Sequence, residues 1–231
     1  MTRSQRVWAA TAIAAGCVVI FVVVTTYAAL SQLAMDSKRW QDNTWLGYSL
    51  KLTADKRSNN LSFTFPGLQS PKDGIDFLDT IHSFTPALAN ASSLTVTYTM
   101  QTTGTPIFQY DPDPSNTCTN PAHVRFWMSD YGWWINDANM QYKRWWSNPT
   151  SLELNGPGQF SMTVSLDPAQ WSSVYGAFGN QDSTTLSYFN DTLQNTYNIG
   201  LSFGGGCYFG HGVYVTGGTA TFILQEYRIN L

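Results

Sequence analysis

Leu94-Thr95-Val96-Thr97-Tyr98-Thr99-Met100 alternates apolar and polar residues without a break. Side chains of a strand point to opposite faces in turn, so this stretch has one face for a core and one for water. The same period of two recurs. Phe160, Met162, Val164 and Leu166 alternate with Ser161, Thr163 and Ser165, and Ile199, Leu201 and Phe203 alternate with Gly200 and Ser202. Further strands are expected at 45–52, 61–65, 122–128, 142–147, 207–215 and 219–229. Turn residues separate them at Pro66-Gly67, Asp73-Gly74, Asn155-Gly156-Pro157-Gly158 and Gly217-Gly218. Two short helices are expected to interrupt. One runs around Ala169–Tyr175, with Asp167 as cap and Pro168 in its first turn; the other starts at Asp182 or Ser183 and ends near Gln194. The fold expected is all-β: an antiparallel two-sheet sandwich of jelly-roll type with one or two short helices. Acidic residue usage agrees, since 13 of the 15 acidic residues are Asp, which suits turns better than helices.

Ahead of this domain the chain changes character. Between Arg6 and Asp36 lie 29 positions without a charge, apolar from Val7 to Leu30. As a helix, Val7–Leu30 reaches roughly 36 Å, enough to cross a hydrocarbon core. The run is too long for a secretory signal, although Thr26-Tyr27-Ala28 could serve as a cleavage site. Ala14-Ala15-Gly16-Cys17 is a weak lipoprotein pattern, because the residues after Cys17 stay apolar. A retained transmembrane helix fits best. Domain boundaries follow: 1–6 cytoplasmic, 7–30 spanning the bilayer and extending to about 35 at most, 31–43 a linker, and 44–231 an exterior domain. Arg3 and Arg6 bias the N-terminus inward, while Trp8 and Trp40 suit the two interfacial belts. Ala12 and Gly16 form a small-xxx-small pair on which another helix could pack. The expected location is a bacterial inner membrane, with the C-terminal domain in the periplasm.

Charged residues make up only 12% of the chain. All 15 acidic residues follow the span, against 10 of the 12 basic ones, leaving the exterior portion near −5. No basic stripe is present, which argues against nucleic-acid binding. Cys17 sits inside the span. Cys118 and Cys207 are an even exterior pair, either bridged in an oxidising compartment or buried as two thiols.

A run of motifs carries a resemblance. Arg144-Trp145-Trp146-Ser147, Trp171-Ser172-Ser173-Val174-Tyr175-Gly176 and Phe203-Gly204-Gly205-Gly206-Cys207-Tyr208-Phe209-Gly210-His211-Gly212-Val213 look like those of uncharacterised bacterial exported proteins. These are similar to galactose-binding-like, carbohydrate-binding β-sandwich modules. The resemblance covers about 140 residues. It implies the sandwich fold, and only weakly a sugar ligand, because that fold serves many roles.

Aromatic residues concentrate between Phe126 and Trp146. On the strand 122–128, Trp127 shares a face with His123 and Arg125 opposite Val124, Phe126 and Met128, so Trp127 is expected to be exposed. Trp133-Trp134 falls in a loop between strands, and one of Trp145 and Trp146 must face inward. Trp127, Trp133, Trp134, Trp145, Arg125 and His211 are the candidate ligand or partner residues, because exposed rings stack on sugars or bury against a partner. The glycine run around Cys207 is expected to shape a bulged strand and tight hairpin, with His211 either structural or a ligand. Gly200-Leu201-Ser202-Phe203-Gly204 matches a nucleophile pattern but lacks the strand-to-helix elbow that makes it work. Asp111 and Asp113 are a weak candidate pair for a structural calcium; no other cofactor is indicated. Glu153 and Glu226, 73 residues apart, show no spacing of a glycosidase pair. Three glycosylation sequons, at Asn60, Asn90 and Asn190, matter only in a eukaryotic host.

Without a convincing catalytic set, the leading expectation is a non-catalytic single-span subunit. Its sandwich would bind other membrane protein subunits of a larger assembly, such as an energy-converting complex. The alternative is a membrane-tethered carbohydrate-binding module; the third reading is a glycan-active enzyme. A tryptophan-lined groove would favour sugar, and a flat apolar face beside the span would favour docking.

Overall fold

The alternating stretch at Leu94–Met100 lies within a single strand of 18 residues, Ser93–Tyr110, whose apolar side is buried throughout that stretch. The computed structural model describes residues 32–44, 51–67, 74–110, 121–135, 138–207 and 209–231. Residues 7–30, with Ala12, Gly16 and Cys17, lie outside the described residues, as do Asp111, Asp113 and Cys118. No helix among the described residues is long and apolar enough to cross a membrane.

The twelve described strands are β1 (Trp40–Thr44), β2 (Thr53–Asp55), β3 (Asn60–Thr64), β4 (Ile75–Thr80), β5 (Ser93–Tyr110), β6 (Ala122–Asp130), β7 (Arg144–Ser147), β8 (Leu152–Glu153), β9 (Gly158–Ser165), β10 (Trp171–Ser173), β11 (Thr196–Gly205) and β12 (Val213–Asn230). All their pairings are antiparallel. They form two layers. The first runs β10-β7-β6-β11-β4-β1, with β8 also on β6. The second runs β9-β5-β12-β3-β2. One pairing, Val213 with Ile75, joins them at a corner.

Aromatic contacts fill the space between the layers. Phe203 of the first meets Phe63 and Phe222 of the second at 5.7 and 5.5 Å between ring centroids. Phe126 and Trp40 meet Tyr227 edge-on at 5.8 and 5.5 Å. Such edge-to-face pairs set the positive ring edge against the negative π face. One α-helix, α1 (Ser183–Gln194), is capped by Asp182, which accepts from the Thr185 backbone at 2.8 Å; the Thr185 hydroxyl accepts in return from the Asp182 backbone. Its buried Phe189 seats on Trp145 and Trp171.

Four expectations need correction. Gly217-Gly218 does not separate two strands, because β12 runs through it. Gly217 has φ +73°, and a Cβ on Gly218 would lie 2.3 Å from the Thr103 carbonyl, so the pair makes an irregularity within the ladder. Only Pro168–Gln170 is helical after Asp167; Trp171–Ser173 instead pairs with β7, the buried Trp171 overriding the local helix signal. The glycine run after Phe203 makes no hairpin, since β11 and β12 are both neighbours of β4 rather than of each other. Within the expected linker, 31–43, the described residues from Gln32 on pack against the domain: Met35 and Trp40 are core residues, and Gln32 bridges to Arg228. Trp40 therefore does not serve as an interfacial anchor.

Candidate functional site

Strand β6 is buried on both faces. Val124, Phe126 and Met128 enter the core between the layers, whereas Trp127 joins Phe77 and Trp146 in a second apolar cluster on the outer face. Register places these side by side: Trp127 opposes Trp146 on β7 and Gly200 on β11, while Ser202 opposes Phe77 on β4. Trp127 is 0% exposed, so its expected exposure is overturned. Loops cover this face, and it was the loops that the alternation could not reveal.

Between the loops and the sheet lies a cavity of about 1120 Å³. Its floor is Phe77 and Trp146, the latter fixed by an indole N–H bond to Ser202 Oγ at 3.0 Å. Trp127 underlies the floor, with its ring centroid 4.5 Å from Phe77 and 5.6 Å from Trp133. Trp133 and Trp134 form one wall, Val174–Gly176 another, and Gly206, Cys207 and Phe209–His211 a third. Trp134, at 51% exposed, continues onto the rim and meets Tyr131 and Tyr197 at 5.4 and 5.3 Å.

Eight of the described lining residues have polar side chains. Asn43, Asp76, Arg144, Asn148 and His211 are among them. Asp76 reaches the cavity because it is the extra residue of a bulge: β1 residues Asn43 and Thr44 pair with Phe77 and Ile75, skipping it. Bulges re-aim side chains in this way. Gly212, at φ +72°, lies against it; a Cβ there would be 2.7 Å from Asp76 Oδ1.

Arg125 does not line the cavity but anchors its third wall. It is 4% exposed and donates to the Ser147 carbonyl at 3.1 Å and to the Gly206 carbonyl. Its guanidinium carbon sits 3.8 Å from the centre of the Phe209 ring. Burial pushes its pKa down to about 10, so it stays charged at neutral pH. Cys207, in the same wall, is disulfide-bonded; the chain's other cysteines, Cys17 and Cys118, fall outside the described residues.

Of the sequence candidates, Trp133, Trp134 and His211 line the cavity. Trp127 and Arg125 support it from beneath. Trp145 belongs to the core, its indole N–H bonded to Thr192 Oγ1 at 3.1 Å. Asp76, Arg144, Trp146, Tyr175 and Phe209 were missed. Alternation along Arg144-Trp145-Trp146 sets Arg144 and Trp146 on one face, a signal that was present; the bulge at Asp76 had none.

No group of three or more His, Cys, Asp or Glu among the described residues is arranged to hold a metal ion. Asp76 is the one carboxylate among the described lining residues. The cavity therefore offers π faces and scattered hydrogen-bonding groups. The chain matches no protein-family model and no curated protein.

Proposed function

We propose that this chain is a carbohydrate-binding module tethered to a membrane by its Val7–Leu30 segment. The cavity carries this reading: about 1120 Å³, floored and walled by Phe77, Trp146, Trp133, Trp134 and Phe209, with polar side chains set among these rings. The C–H face of a pyranose ring is weakly positive and apolar, which matches the negative face of an aromatic ring. Its hydroxyls need a small number of fixed polar partners, which Asn43, Asn148, Asp76 and His211 can supply. Mostly apolar pockets with a few convergent polar groups are the usual form of a small-ligand site. The galactose-binding-like resemblance and its jelly-roll topology fit the same reading. The test is a glycan array followed by tryptophan-fluorescence titration of the full chain. Saturable binding that Trp133→Ala and Trp134→Ala weaken supports it; silence across the array, with no quenching by any glycan, overturns it.

The docking-subunit reading that the sequence favoured keeps one observation. Tyr131, Trp134 and Ile135 form an exposed apolar ridge, at 65%, 51% and 46% exposure. Recovery of the chain in a stoichiometric complex after mild-detergent extraction, lost on Tyr131→Ser with Ile135→Ser, would favour it.

A further inference from the structure

Arginine appears twice on the outer face of the first layer, and the two are held differently. Arg125 spends its charge within the protein on two carbonyls and a ring. Arg144 lines the cavity and leans over the Trp133 ring, its guanidinium carbon 5.6 Å from the centroid. Its Nε, like that of Arg125, is buried and makes no hydrogen bond, but unlike Arg125 its side chain donates to no carbonyl among the described residues. Among the described residues no carboxylate pairs with it. Burial holds its pKa below the usual arginine range, yet a guanidinium remains charged at any ordinary pH. A guanidinium leaning on an indole with its Nε buried still has its Nη edge, whose two N–H donors form a planar fork that matches a carboxylate.

The one carboxylate among the described lining residues lies far from this fork. Asp76 is on β4, and Arg144 is three strands away across β11 and β6. At about 4.8 Å per strand that is roughly 14 Å. Phe77 is level with Ser202 and Arg125, and Arg144 with Ser129, so the two also differ by about five residues, roughly 16 Å, along the strands. The site has a cationic end and an anionic end, too distant to neutralise one another directly.

Resting on the carbohydrate reading, we propose that the ligand is an acidic glycan whose sugar carboxylate docks on Arg144, with neighbouring rings laid along Trp133 and Trp146 toward Asp76. Uronic acid polymers have this chemistry. A ligand carboxylate supplies an anion where the described residues offer Arg144 none, and its methyl ester removes the charge at nearly constant shape.

The experiment uses the full-length chain in a detergent without a sugar headgroup. Oligogalacturonate, a glucuronate-containing oligomer, the methyl esters of both and a set of neutral oligosaccharides are titrated by fluorescence and calorimetry. Free acids are expected to bind about 10- to 100-fold tighter than their esters. Arg144→Gln is expected to abolish that preference, and Arg144→Lys to keep only part of it. Equal affinity for acid and ester, or a preference that survives Arg144→Gln, overturns the assignment and leaves the carbohydrate reading standing. So does binding of neutral oligosaccharides alone. Binding of none of the probes overturns the assignment, and silence across the wider array removes the carbohydrate reading as well. Should Arg144→Gln fail to fold, the acid–ester comparison on the unaltered chain decides alone.

Discussion

The outer faces of the two layers are built from different residues. The second layer carries a ladder of short polar side chains on its outer face: Thr95, itself buried, bonds Thr163 at 2.8 Å, Thr99 donates to Gln225 at 3.1 Å, and Thr103 bonds Thr219 at 2.6 Å. The first layer turns Phe77, Trp127, Trp146, Arg125 and Arg144 outward, and loops close over them. A sandwich needs only its inner faces apolar. Apolar residues on both faces of β6 mean that something beyond the core is being built, and here that is the floor of a cavity.

Substitutions on the two faces should separate this contrast by size. The largest effect is expected at Trp127, where Trp127→Ala leaves a void beneath the floor; unfolding in urea should show a loss of about 3–5 kcal/mol. A loss below about 1 kcal/mol would mean that the outer cluster is not a second core.

Next comes Asp79, also on the outer face of the first layer and 1% exposed. Its Oδ1 has no hydrogen-bond partner; Gln41 bonds the carboxyl, and burial raises its pKa well above the usual value. The folded state thus holds a proton that the unfolded chain releases near pH 4, so stability falls as pH rises from there through the folded pKa. Across that window the slope is up to about 1.4 kcal/mol per pH unit. Asp79→Asn should flatten it and stabilise the protein at neutral pH, as denaturation series between pH 4 and 8 will reveal. An unchanged slope would place the titrating group elsewhere.

Smaller still is Trp134→Ala at the rim. Stability should stay within about 0.5 kcal/mol, because the ring is half exposed. Glycan affinity should fall about 10-fold, or ~1.4 kcal/mol. The reverse pattern would make Trp134 structural. The smallest effect belongs to the polar ladder. Thr97 makes only long bonds, to Ser161 at 3.3 Å and Glu226 at 3.4 Å, and Thr97→Ala should change stability by no more than about 0.5 kcal/mol and binding not at all.

The same contrast explains what could be read from the sequence. In β5, β9 and β11 the inner face is apolar and the outer face small or polar, so period two gave the strands and the all-β class directly. Capping chemistry narrowed the start of α1 to Asp182 or Ser183, and the helix begins at Ser183 with Asp182 as its cap. On β6 the same rule misled, because it equates the second face with solvent, and so Trp127 was assigned to the surface. Trp133, Trp134 and His211 were found because loop aromatics and glycine-flanked polar residues stand out locally. Asp76 and Tyr175 were not, since a bulge and a loop crossing are set by distant strands. Trp145 was chosen where Trp146 faces the cavity, a parity choice that only the register of β7 on β6 decides.

Strand β12 bears on how such a domain is made. It pairs with β5 along nearly its whole length, joining Ser93 to Asn230, and contributes Phe222, Leu224 and Tyr227 to the centre of the core. The second layer cannot close until β12 meets β5, and contacts of such long sequence separation form slowly. Assembly of the sandwich therefore waits on one pairing, between the strand that opens at Ser93 and the strand that ends at Asn230.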